Sequence, residues 1–249
     1  MFNIEKIGAV GLAAGRGTRL KSVDMPKVMR EIGGRPMVDF TVKTLEKMGF
    51  KPEQICLVVG FEKEKIMAHF GKRVSYAVQS EQKGTAHAAF TGMIALPKNI
   101  EQVLVMGGDD SAFYEVETLE YLIEKHIESK AVLSLLTAER SPEGLGRIVR
   151  TSDGGVEIVE KENLTEEQKK IKEISTGTFV LDRNWFEKIF PVMPLLPRLQ
   201  ELAMPMALTM ARDSKERYQI VKLNNPDEWF GINTLEELDE ANKRKSQST

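Results

Sequence analysis

Three short segments hold the residues best suited to chemistry on a phosphorylated ligand. The first is "GLAAGRGTRLKSVDMPK", residues 11–27, where Ala13, Ala14, Gly15 and Gly17 follow an apolar run. Small residues there let the backbone approach a ligand and point several N–H groups at it. Arg19 suits bidentate contact with phosphate oxygens, and Lys27, set apart beyond Pro26, suits a point-charge contact on a more distant phosphate. The glycines fit neither common nucleotide fingerprint. A Gly-x-Gly-x-x-Gly loop would place its third glycine at Leu20, and a P-loop would need Gly-Lys-Ser/Thr where the chain reads Gly15-Arg16-Gly17-Thr18. An ordinary surface turn with solvated cations is the alternative, and Arg16 and Lys21 read as solvated neighbours in either case.

The second segment is "QSEQKGTAHAA". Gln79 offers a donor and an acceptor on one side chain, which matches a pyrimidine edge, or it is a satisfied surface amide. Gly84 and Thr85 precede a helix, where free N–H groups can meet a carbonyl or phosphate. His87 lies inside that helix and reads as a packing or supporting residue, not as a base. The third segment is "VLVMGGDDSAFY". Asp109, at the end of an apolar strand, can hold a hard cation such as Mg²⁺ against a ligand's phosphates. Asp110 either assists it or caps the following helix, and an aspartate-rich turn with no ligand is the competing account.

Alternating strands and helices must position these loops. "KIGAVGLAAG", "QICLVVGF", "RVSYAVQ" and "QVLVMGGDD" read as strands, separated by helical "RPMVDFTVKTLEKMG", "EKEKIMAHFG" and "GTAHAAFTGMIAL". The first helix should turn Met37, Phe40, Thr41, Thr44, Leu45 and Met48 to one face. Such a pattern predicts an α/β fold, a Rossmann-like mixed, mostly parallel sheet with helices on both faces. Ligands bind such sheets at the carboxyl ends of strands, where the three segments lie. Further on, "VETLEYLIEKHIES" reads as a helix and "AVLSLLTAE" as a strand. "GRIVRTS", "GVEIVEK" and "EISTGTFVLD" read as added strands, some antiparallel. "ENLTEEQKKIKE" is expected as a solvated surface helix in preference to a flap, "FPVMPLLPRLQELAMPMAL" as a bend with a short helix near Leu199–Ala203, and "TLEELDEANKRKSQST" as a capped helix with a frayed tail.

Composition narrows the function classes. The 249 residues can bury a substantial core, and 35 basic residues against 37 acidic give a net charge of −2. No global field favours nucleic acid or an anionic membrane, so an anion site must be local. No apolar run approaches the ~20 residues of a membrane span, and the start lacks a signal-peptide pattern. The single cysteine, Cys56, sits in an apolar run and is expected to be buried in a strand. A cytoplasmic protein is the simplest reading.

Six stretches, in order, now carry a resemblance: "LAAGRGTRLKS" with "PKVM", "VQSEQKGTAHA", "VLVMGGDD", "GLGRIVR", "GVEIVEKENLTEEQKKIKEISTG" and "GINTLEELDEA". The chain resembles the sugar-1-phosphate nucleotidyltransferases, and within them the N-terminal uridyltransferase domain of the bifunctional bacterial enzyme that makes UDP-N-acetylglucosamine. The resemblance implies a single nucleotidyltransferase domain over residues 1–249, with a nucleotide half (about 1–110), a sugar half (about 111–235) and a C-terminal helix with tail (234–249). It implies that Leu12, Ala13, Ala14, Gly15 and Gly17 line the nucleotide, that Arg19 and Lys27 hold the reacting phosphates, and that Gln79, Gly84 and Thr85 meet uracil. It gives Asp109 and Asn233 to Mg²⁺, and Gly108, Gly146, Glu160, Ser175 and Asn233 to the sugar. The implied reaction couples UTP to N-acetylglucosamine-1-phosphate with release of pyrophosphate, a step in cell-envelope precursor synthesis. No nucleic-acid or membrane partner is implied.

The chain departs from the family pattern at several places. Ser175 stands where the resembled uridyltransferase domain has asparagine, Gly107-Gly108-Asp109 stands for Tyr-Gly-Asp with Asp110 added, and "MPLLPRLQELAMP" replaces a Tyr-rich segment. The family's acetyltransferase β-helix domain has no counterpart here, so neither acetyl transfer nor the trimer that domain builds is expected. The competing readings are the same chemistry on another sugar or nucleotide, such as glucose-1-phosphate or dTTP, and a sugar-nucleotide-binding regulator without activity.

Overall fold

The computed structural model describes residues 2–20, 24–140, 145–197 and 199–247. In chain order its elements are β1 (Ile7–Ala13), β2 (Glu31–Ile32), β3 (Arg35–Pro36), α1 (Met37–Lys47), β4 (Ile55–Val59), α2 (Lys63–Phe70), β5 (Ser75–Val78), α3 (Thr85–Ala95) and β6 (Gln102–Gly107). They continue with α4 (Val116–Ser129), β7 (Leu133–Glu139), β8 (Arg147–Arg150), β9 (Val156–Val159), β10 (Glu173–Asp182), α5 (Arg183–Ile189), α6 (Met204–Asp213), β11 (Tyr218–Lys222) and α7 (Leu235–Gln247).

One seven-stranded sheet runs through both halves in the order β11-β7-β10-β6-β1-β4-β5. β5, β4, β1 and β6 are mutually parallel, β11 is parallel to β7, and β10 runs antiparallel between β6 and β7. The chain leaves β1 toward β4 and β5, then returns to place β6 on the other side of β1. Connections therefore diverge at the carboxyl ends of β1 and β6 and leave a crevice between them. β8 and β9 form a separate antiparallel hairpin.

Side-chain alternation along the strands builds a core on each face of the sheet. Ile55, Leu57 and Val59 of β4 face one core with Val38, Val42 and Leu45 of α1 and Leu119 and Leu122 of α4. Cys56 and Val58 face the other, with Ala89 and Met93 of α3 and Leu208 of α6. Cys56 is buried as expected, and burial pushes its thiol up to about 11. The buried face of α1 is rotated from the expected one. Val38 and Val42 take the sheet side, while Phe40 packs in a third cluster with Leu20, Ile32 and Ile232.

Two expectations need correction. "ENLTEEQKKIKE" forms no surface helix: single 3₁₀ turns occupy Lys161–Asn163 and Gln168–Lys170, and Glu173 already belongs to β10. Leu164 and Ile171 are its only apolar residues, too few to make a stripe a helix could bury. Thr165 and Gln168 instead close one turn by exchanging side-chain and backbone hydrogen bonds of 3.0 and 3.2 Å. The helix expected near Leu199–Ala203 begins later, at Met204, with Pro205 in its first turn. Leu202 stays outside it because its N–H donates to the Lys83 carbonyl and its carbonyl accepts from Ala86 N–H, both at 2.8 Å. The C-terminal helix is capped as expected by Thr234 and Glu237, with Ser248 and Thr249 outside the described residues. It continues to Gln247, held by Lys245, whose Nζ donates to the Ala112 carbonyl at 2.8 Å and lies 4.2 Å from the Phe113 ring centroid.

Helix α3 lies close on the sheet at Gly92, where an added Cβ would stand 2.5 Å from Val10 Cγ1 and 2.7 Å from Val58 Cγ2. Both valines are fully buried and cannot yield. Gly92→Ala gains about 1 kcal/mol of helix propensity but incurs about 1–3 kcal/mol of overpacking. A net loss of up to about 2 kcal/mol is expected in denaturant unfolding, and a variant more stable than wild type would contradict this packing.

Candidate functional site

A cleft of about 640 Å³ opens at the carboxyl ends of β1 and β6. Its charged end is built by residues remote in sequence. Lys27 begins a 3₁₀ turn after Pro26, and its buried Nζ donates to Asp109 Oδ2 and, at 2.8 Å, to Asn233 Oδ1. Arg19 Nη2 donates to the same Asn233 oxygen at 2.9 Å. Gly17 makes this possible: it has φ +72°, and a Cβ there would stand 2.4 Å from Lys27 Cβ. Asn233 is fixed by a capping box at the start of α7. Glu237 Oε2 accepts from Asn233 N–H at 2.5 Å and Thr234 N–H at 2.9 Å, while Thr234 Oγ1 accepts from Glu237 N–H at 3.2 Å. The Ile232 N–H donates to the Asp109 carbonyl at 3.1 Å, tying this turn to the end of β6.

At a second end stand Gln79, Gly84 and Thr85, joined by Gln82, whose Nε2 donates to the Ala14 carbonyl at 2.8 Å. Gly84 has φ +109°, and a Cβ on it would lie 2.4 Å from the Leu202 carbonyl oxygen, so only glycine fits. Thr85 Oγ1 accepts from Met204 N–H at 3.0 Å and anchors the start of α6. His87 supports Gln79, with its Nδ1 at 2.8 Å from Gln79 Nε2.

The third wall carries Gly146, Glu160 and Ser175. A Cβ at Gly146 would press on the Val159 carbonyl at 3.0 Å, so the glycine lets the β8–β9 hairpin close. Burial, and then neighbouring Glu162, push the Glu160 carboxyl above its usual range. Ser175 lies where the β10–β7 register shifts, and Ser175 Oγ accepts from Gly177 N–H at 3.2 Å.

Thirteen expected residues thus line one cleft: Leu12, Ala14, Gly15, Arg19, Lys27, Gln79, Gly84, Thr85, Asp109, Gly146, Glu160, Ser175 and Asn233. Ala13, Gly17 and Gly108 do not. Ala13 is buried in the core, Gly17 packs behind Lys27, and Gly108 donates its N–H to the Leu12 carbonyl at 3.0 Å, close against Val28. Asp110 caps no helix, because α4 begins at Val116 after Glu115. Its carboxylate lies over Gly107, where a Cβ would be 2.5 Å from Oδ1, and it lines the cleft. Burial and the adjacent Asp109 hold its carboxyl well above the usual range. Arg16 lies 5.3 Å from the Phe61 ring centroid, and Lys21 lies outside the described residues.

Sequence reasoning missed Leu196, Leu199, Met204 and Trp229, which add apolar surface to the cleft. The one available signal was a proline-broken apolar run without helical period. For a metal ion, the donor set fits Mg²⁺. Asp109 and Asn233 aim two hard oxygens at one cationic point, which Lys27 Nζ meets in this structure. Among the described residues no group of three or more His, Cys, Asp or Glu could hold a metal, so further ligands would come from phosphate and water. Among the same residues, no helix is long and apolar enough to cross a membrane.

Residues 8–248 match the family model described as nucleotidyl transferase. The bifunctional protein GlmU of Syntrophotalea carbinolica is 38% identical over 239 residues, covering 95% of this chain and 51% of that protein. GlmU of Symbiobacterium thermophilum is 39% identical over 243 residues, covering 96% of this chain and 50% of that protein. The chain thus spans about half the length of these relatives and resembles their N-terminal uridyltransferase domain alone. A Bacillus anthracis protein assigned as a glucose-1-phosphate thymidylyltransferase, solved with sucrose, shares the fold with a TM-score of 0.77 at 20% identity, covering 96% of this chain and 94% of that one. The chain belongs to the nucleotidyl transferase family, with the nucleotide-diphospho-sugar transferase fold.

Proposed function

We propose that this cleft joins UTP to a sugar-1-phosphate, with N-acetylglucosamine-1-phosphate the first candidate, and releases pyrophosphate. The observation that carries the reading is the meeting of Arg19, Lys27, Asp109 and Asn233 at one point of the crevice. A phosphate oxygen of the sugar attacks the α-phosphorus in line, the α–β bridging bond breaks, and pyrophosphate leaves. The nucleophile is already an anion and needs no general base, so catalysis is positioning plus charge neutralisation. Lys27 and Arg19 meet the phosphate oxygens, and small Ala14 and Gly15 admit the triphosphate. Mg²⁺ held by Asp109 and Asn233 would take the point that Lys27 Nζ holds in this structure and supply positive charge to those oxygens, leaving Lys27 to turn to the phosphate. Glu160 and Ser175 offer acceptors to sugar hydroxyls on the opposite wall.

The thymidylyltransferase likeness supports a second reading, dTTP with glucose-1-phosphate. The sugar wall also departs from the family pattern through Ser175, Gly107 and Asp110. A regulator that only binds sugar nucleotides would not need a buried lysine, an arginine and two hard oxygens together. Pyrophosphate release with Mg²⁺, measured across a panel of nucleoside triphosphates and sugar-1-phosphates, separates these readings. The highest kcat/KM is expected for UTP with N-acetylglucosamine-1-phosphate. No turnover with UTP and any hexosamine phosphate would sink the leading assignment.

Lys27→Ala should lower kcat/KM by on the order of 10²-fold, as loss of one transition-state donor does. Turnover unchanged from wild type would remove Lys27 from the mechanism. Gly17→Ala, which forces Lys27 aside without altering its charge, should cost about tenfold or more in kcat/KM with the folded circular dichroism retained. Full activity in that variant would show that Lys27 need not occupy its present position.

A further inference from the structure

We propose that His87 sets the nucleobase selectivity of the cleft by holding Gln79 with its carboxamide oxygen toward the ligand, so that the site takes a base with an imide N–H, uracil or thymine, over cytosine. The proposal rests on the reading that the Gln79 end of the cleft receives the base of a nucleoside triphosphate.

The hydrogen bonds around Gln79 leave one orientation of its amide. Nε2 lies 2.8 Å from His87 Nδ1 and 3.3 Å from the Gly84 carbonyl oxygen. That carbonyl can only accept, and it also accepts from Ala88 N–H at 3.1 Å within α3. The two amide hydrogens therefore serve Gly84 and His87 together. A reversed amide would set its oxygen lone pairs against the Gly84 carbonyl, at a residue only 5% exposed. His87 Nδ1 must then be the acceptor, which puts the ring proton on Nε2 and leaves Gln79 Oε1 for the cleft. Among the described residues no protein group is recorded donating to Oε1.

An acceptor at that point distinguishes pyrimidines. The N3–H of uracil or thymine donates to it, whereas N3 of cytosine presents a lone pair in the same place. The imidazole is held for this task. It stacks on Phe190 from the segment after α5, with centroids 6.4 Å apart and planes at 29°, and Phe190 stacks in turn on Phe90 at 3.9 Å. The charged groups that face it are Lys83 and Glu81, both on the loop before α3 and paired with each other at 2.7 Å. Burial first, then Lys83, push the ring below its usual range, and Glu81 opposes this only in part. His87 is thereby kept neutral and accepting near pH 7. Protonation would turn Nδ1 into a donor, which cannot face the Gln79 amino group.

The test measures kcat/KM for UTP and CTP by pyrophosphate release with the full chain. Wild type should prefer UTP at least tenfold near neutral pH, and the preference should fall in acid, below the ordinary imidazole range, as the ring becomes charged. His87→Ala should lower the UTP/CTP ratio by about tenfold, mainly through KM for UTP, because the Gln79 amide is then free to turn. His87→Asn, whose amide oxygen can accept near the place of Nδ1, should restore the ratio and lose its acid dependence. A merely structural role for His87 predicts equal losses with both nucleotides, and that result would overturn the inference. So would a His87→Asn variant whose ratio still falls in acid, which carries the test even if His87→Ala does not fold. A wild-type enzyme that turns over but does not prefer UTP would refute the base assignment and the inference with it. A protein inactive with every nucleotide but binding UTP over CTP with the same His87 dependence would overturn only the proposed reaction.

Discussion

The ammonium of Lys27 is the point on which the cleft depends. It is buried, and a buried cation is tolerated only where oxygens compensate it. Asp109 and Asn233 provide those oxygens from the end of β6 and the start of α7. Much of the surrounding chain serves to bring these partners together. Gly17 gives up its side chain so that Lys27 can pass, and Pro26 sets the turn from which Lys27 projects. The Thr234–Glu237 capping box fixes Asn233 through its backbone. The same arrangement explains why α7 is ordered: its N-terminus is part of the site, and its far end is pinned by Lys245 against Phe40, Phe113 and the Ala112 carbonyl.

The two remaining walls use different physics. At the Gln79 end, backbone contact dominates. The segment at Leu202 pairs with Lys83 and Ala86, excludes any side chain at Gly84, and borrows the Thr85 hydroxyl to start α6. At the Glu160 and Ser175 end, carboxylates in partly buried positions dominate. Glu160 and Asp110 both have their carboxyls pushed up, chiefly by burial. Asp110 takes the space that Gly107 leaves over the end of β6, so the absence of a side chain at one position and the carboxylate at the other are a single structural feature.

Much of the fold was legible in the sequence because its cause is local. Alternating apolar runs and amphipathic stretches specify parallel strands with crossover helices, and both cores follow from the same alternation. Errors fell where tertiary partners overrode local preference. Backbone pairing with the loop before α3 kept Leu202 out of a helix, and two apolar residues could not make "ENLTEEQKKIKE" a packed one. The rotated face of α1 has the same origin, since Phe40 left the sheet for the cluster beneath α7.

The candidate site divides in the same way. The sequence by itself determined which loops have residue types suited to phosphate, because small residues after a strand, separated basic residues and a terminal aspartate are meaningful by type and spacing alone. Only the tertiary structure decided which of them meet. Arg19 and Asn233 stand 214 positions apart yet share a hydrogen bond, and nothing local links them. It also decided that Ala13, Gly17 and Gly108 lie outside the cleft lining, that Asp110 lines it, and that Gln79 Nε2 meets His87 and the Gly84 carbonyl. Each of these depends on what occupies the neighbouring space, and that is set by contacts between segments distant in the chain.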